Sequence, residues 1–117
     1  MDAENTAGPI ACNVTQIPAE RRAPLLSQLR TLFRRVSRVR ALSNGFALEF
    51  PGERGMVAAL SEIIEYDRLC CPFIRHALLD QPWGGDITLE LTGTDEVRDF
   101  LAGELRSFLP DEMDVPS

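Results

Sequence analysis

Apolar residues recur at spacings of three and four in three stretches of this chain, and alternate in the segments between them. The first stretch is Ala19–Ser37, where Leu25, Leu29, Leu32, Phe33 and Val36 make one stripe. That spacing predicts a helix, and Pro24 falls early in it, where a missing N–H does least harm. The second stretch, Glu53–Cys71, carries Met56, Leu60, Ile63 and Ile64 on one side and Glu62, Glu65, Asp67 and Arg68 facing out. It predicts a helix roughly 27 Å long, which Pro72 ends or kinks by disfavouring helix at Cys71. Asp67 lies close to the edge of the apolar stripe, in reach of a local partner. The third opens with Thr94 as N-cap, followed by Asp95 and Glu96, acids that the helix dipole favours. Val97, Phe100, Leu101, Leu105 and Phe108 form its stripe, and Pro110 stops it.

Period-two patterns fill the gaps. Val39–Pro51 reads as a hairpin turning at Asn44-Gly45, with Phe46, Leu48 and Phe50 on one face; Asn-Gly suits the positive φ of a type I′ turn. Phe73–Asp80 and Asp86–Thr92 form a second hairpin around the loop Gln81–Gly85, with Ile87, Leu89 and Leu91 inward and Thr88, Glu90 and Thr92 outward. Ile10–Ile17, with its β-branched residues, reads as a short edge strand carrying Cys12. The order β, α, ββ, α, ββ, α predicts an α+β fold: a two-layer, mainly antiparallel sheet of four or five strands with three helices on one side. The expected divisions are a disordered N-terminus over 1–9, one domain over 10–109, and a flexible acidic tail over 110–117.

Length and charge narrow the function. At 117 residues the chain fits one domain. No apolar run approaches the ~18 residues that span a bilayer, and the acidic start does not read as a secretory signal. These features predict a cytoplasmic protein without a membrane partner, its thiols reduced. The net charge of −6 argues against nucleic acid. All twelve basic residues are arginine, and seven lie between Arg21 and Arg40, whereas the chain after Ala77 is strongly acidic. Such faces solvate, meet each other, or join two copies in a homodimer; the other reading is an arginine face that binds an anion or nucleic acid.

One run carries distinctive chemistry: Cys70-Cys71-Pro72-Phe73. Neighbouring α-carbons lie ~3.8 Å apart, below the ~4.4–6.8 Å of ordinary disulfides, so no stable Cys70–Cys71 bond is expected. A helix restarting at Pro72 would put Cys71 at its N-cap, where the dipole lowers a thiol's pKa. Zinc is the poorer metal: its only ligand set is Cys12, Cys70, Cys71 and His76, without the paired spacing of structural sites. Three thiolates, Cys12 with the pair, suit a softer ion such as mercuric, arsenite arsenic or cuprous copper. Cys71 with His76 as base would be a nucleophilic pair, but no orienting carboxylate beyond Asp67 or Asp80 is evident. No complete catalytic constellation and no organic cofactor motif is visible, so the chain reads as non-enzymatic. The bland alternative makes Cys70 and Cys71 small buried hydrophobes, His76 a strand residue near the surface, and Trp83 a loop residue or the flank of a groove. It corresponds to a protein-interaction or small-ligand module with structural cysteines. A thiol-redox protein is the third reading.

Cys12, the run Glu65–Phe73 ending in Cys-Cys-Pro-Phe, Gly84-Gly85, Leu91-Thr92-Gly93 and the closing Val97–Leu105 segment, V-x-x-F-L-x-x-E-L, occur in this order. In these motifs the chain resembles a family of short, largely uncharacterised bacterial proteins. The resemblance implies that Cys12 belongs with the pair as one set. It gives no role to His76; the tryptophan that the family carries ahead of its Leu-Thr-Gly is absent here, with Ile87 near that place and Trp83 before the glycines. Cys12, Cys70 and Cys71 are therefore the candidate metal ligands.

Overall fold

The computed structural model describes residues 10–117, so the disorder expected over 1–9 lies outside the described residues. Three helices and four strands follow one another as α1 (Ala19–Phe33), β1 (Arg38–Leu42), β2 (Gly45–Phe50), α2 (Met56–Cys70), β3 (Arg75–Asp80), β4 (Ile87–Thr92) and α3 (Asp95–Phe108). The strands form one antiparallel sheet in the order β1-β2-β4-β3. Each hairpin supplies an edge and a central strand, and the hairpins meet with Leu48 opposite Leu89 and Phe46 opposite Leu91. The alternation does the expected work. Phe46, Leu48 and Phe50 join Ile87, Leu89 and Leu91 in one core with Leu32 and Phe33 of α1, Leu60 and Ile63 of α2, and Val97, Leu101 and Leu105 of α3. Thr94 caps α3 by accepting the Val97 N–H at 3.3 Å. Beyond α3, Met113 and Val115 pack against this core. Among the described residues, no helix is long and apolar enough to cross a membrane.

Several local expectations shift, each for a physical reason. Ile10–Ile17 is not a fifth strand. Asn13 accepts the Thr15 N–H on its side chain and starts a 3₁₀ turn over Val14–Gln16, while its own N–H is spent on the carbonyl of Cys70 at 2.8 Å. A side chain that bonds its local backbone competes with a ladder in this way. Helix α1 stops at Phe33 because Ser37, just before β1, is already tied to β2: its N–H and its hydroxyl both donate to the Glu49 carbonyl. Helix α2 begins at Met56, after Gly55 turns the chain at φ +88°.

The first hairpin turns at Ser43-Asn44, one residue earlier than expected, and neither turn residue has positive φ. Gly45 is needed for another reason. It pairs with Thr92, and a Cβ there would collide with the Leu91 carbonyl oxygen. Thr88 and Thr92 are buried, although they sit on the face away from the core. Both are on a central strand, and Thr88 is flanked by the taller Glu49 and Leu79. Trp83 stands at the tip of the second hairpin with φ +63°, fully exposed.

Candidate functional site

The site forms where α2 ends. Pro72 disfavours helical backbone at the preceding residue, and Cys71 leaves the helix at φ −129°, ψ 67°. No helix restarts. The Ile74 N–H bonds the Cys71 carbonyl at 3.2 Å, and the chain turns into β3. The N-cap expected at Cys71 is therefore absent, and no helix N-terminus acts on its sulfur.

The bond from Asn13 to the Cys70 carbonyl draws the N-terminal segment over this break. Ile17 is buried with Cys70 and Cys71, and Tyr66, Phe73 and Ile74 pack around them. Cys12, 59 residues from Cys71, is brought to a Cα–Cα distance of 4.8 Å, and the two form a disulfide. Reduced thiols throughout were the expectation. The sequence separation hides the pairing, and only the folded path of the first segment creates it. Cys70 remains a thiol, with its sulfur 3.6 Å from that of Cys71. All three cysteines singled out in the sequence thus meet at one place.

Two further residues complete the surroundings. Asp67 sits one helical turn before Cys70 and is turned inward rather than out. One carboxylate oxygen lies 3.8 Å from the Cys70 sulfur and the other 2.6 Å from Nε2 of His76. His76 is not near the surface. In β3 it pairs with the core-facing Leu91, so it points to the helices, and its side chain is only 7% exposed. The ligand-type atoms of Cys12, Asp67, Cys70 and Cys71 all lie within 4.8 Å of one another. His76 is outside that set, held behind Asp67, which removes the Cys-Cys-Cys-His zinc arrangement. It also removes the Cys71–His76 nucleophilic pair, because Cys71 is bonded to Cys12 and Nε2 of His76 is taken by Asp67.

Burial, then the Asp67 charge, pushes the Cys70 thiol up to about 11. Burial, again followed by Asp67, raises the Glu104 carboxyl. Asp67 was legible as a neighbour of the stripe, and its i, i+3 spacing to Cys70 puts both on one helix face. Glu104 is the acid of the closing V-x-x-F-L-x-x-E-L segment, but no local pattern brings it to the cysteines; its place depends on how α3 crosses α2.

An apolar cavity of about 170 Å³ opens onto the cluster, with Cys12, Cys70, Asp67 and Glu104 in its lining. A smaller one of about 80 Å³ reaches Cys71 and His76. No protein-family model, curated protein or solved structure matches this chain.

Proposed function

We propose that this is a cytoplasmic, non-enzymatic protein that binds one soft thiophilic metal or metalloid ion through Cys12, Cys70 and Cys71. The disulfide form is its oxidised, unloaded state. The observation that supports this reading is the gathering of three sulfurs and one carboxylate within 4.8 Å. Three close sulfurs favour mercuric, trivalent arsenic or cuprous ions over harder metals. A dithiol reductant of the cytoplasm passes two electrons and two protons to the Cys12–Cys71 bond and becomes a disulfide itself, leaving three thiols. Arsenite then exchanges its three hydroxyls for three sulfurs, with three waters leaving. The resemblance to the Cys-Cys-Pro-Phe proteins, which joins Cys12 to the pair, points the same way.

The test is calorimetric titration of the phosphine-reduced protein with mercuric ion and with arsenite, beside Cys12→Ser, Cys70→Ser and Cys71→Ser. One ion per chain is expected, with each serine weakening arsenite by roughly 100-fold or more. Micromolar or weaker binding that no substitution changes would sink the proposal. The disulfide itself favours a second reading, in which Cys12–Cys71 is a permanent staple in a protein-interaction or small-ligand module. A reduction potential below about −300 mV would decide for it.

A further inference from the structure

We infer that the ion bound here carries one apolar organic substituent: the ligand is a trivalent organometalloid whose carbon group fills the cavity beside the sulfurs. This rests on the reading of the same thiol cluster as a soft-ion site and uses two of its three sulfurs.

The geometry behind it is the unequal placement of the sulfurs. Cys12 and Cys70 line the larger cavity, and Cys71 does not; it lines only the smaller one. A centre held by Cys12 and Cys70 would border about 170 Å³ of space walled by Leu25, Leu29, Ile63 and Phe108, with Arg22 also on its lining. The apolar part of that wall offers an aqueous ion no compensation for lost hydration. It suits a hydrocarbon group, and a cavity of roughly 150 Å³ lined by leucine, isoleucine and phenylalanine takes up benzene. The carboxylates of Asp67 and Glu104 on the same lining suit an electron-poor centre, whereas a bare ion would leave most of the cavity unfilled. Leu26, on the same lining, is 43% exposed, so the cavity reaches the surface there.

The binding step balances without a change of oxidation state. A dithiol reductant first opens the Cys12–Cys71 bond. A monosubstituted arsonous acid, R–As(OH)₂, then meets two thiols: two As–S bonds form, two As–O and two S–H bonds break, and two waters leave. Arsenic stays trivalent and keeps its carbon substituent. Cys71 takes no part.

The probes are arsenite, methylarsonous acid and phenylarsine oxide, titrated into the reduced full chain with dithiothreitol as the competing dithiol. The preference for phenyl over methyl is expected to exceed that of dithiothreitol by roughly 10–100-fold, the gain from burying a ring-sized apolar group. Cys71→Ala should keep the phenyl ligand and lose arsenite, whereas Cys12→Ser and Cys70→Ser should lose both. Leu29→Trp, which fills the cavity, and Leu26→Arg, at an exposed position that should leave folding intact, should each abolish the phenyl preference while arsenite still binds. A phenyl-to-methyl ratio equal to that of dithiothreitol, or a phenyl ligand that needs Cys71, overturns the inference and leaves the three-sulfur site standing if arsenite binds. Failure of all three probes overturns both.

Discussion

Asp67 holds His76 with one oxygen and approaches Cys70 with the other, so a single substitution there reads both contacts. Asp67→Asn should cost about 1–2 kcal/mol by urea denaturation, the range for a half-buried hydrogen bond to a charged group. It should also lower the Cys70 thiol, because the Asp67 charge is one of the groups holding it up at about 11. The mass-spectrometric alkylation rate of Cys70, followed from pH 7 to 10, should rise in the variant at every pH. An unchanged profile would mean that burial alone governs the thiol.

Glu104 gives a test of opposite sign. Its carboxyl is raised by burial and by Asp67, so the folded state holds that proton more tightly than the unfolded chain does. The stability it contributes is present at acid pH and is lost as pH rises through the folded value. Glu104→Gln should therefore melt roughly 1–3 °C higher than the parent at pH 7, with the difference closing towards pH 4. These side chains show how far sequence reaches at this scale. The pairing of Cys70 with Cys71 and the closeness of Asp67 are local and readable. The inward turn of His76 depends on the register of β3, and Glu104 on a helix crossing, and neither is encoded nearby.

At the scale of elements, periodicity carried most of the information. The helices, both hairpins and the core face of β2 and β4 follow from spacing, because each stripe has one apolar surface to hide. What escaped was set by long-range bonds. Ser37 is captured by Glu49, which ends α1 early, and Asn13 is captured by Cys70, which turns an apparent strand into a 3₁₀ turn. Gly45 is required for a reason other than the turn: the turn does not need its flexibility, but β4 needs its lack of a side chain. Gly45→Ala should accordingly cost about 1–3 kcal/mol through backbone displacement, although alanine is ordinarily neutral or better in a strand. A chemical denaturation midpoint within error of the parent would contradict that close approach.

At the scale of the whole molecule, Cys12–Cys71 closes a loop that contains α1, the first hairpin and α2. A closure of this length restricts the unfolded chain by roughly 4 kcal/mol in the entropic account. Urea midpoints with and without reductant should differ accordingly, and Cys12→Ser should behave under oxidising conditions as the reduced parent does. Such experiments need a suitable optical signal, and Trp83 decides which one. As the sole tryptophan, already fully in water at its hairpin tip, it should emit at the wavelength of the free indole both before and after denaturation. Its fluorescence will be nearly blind to unfolding, so any blue shift in the native protein will report something settling on that tip.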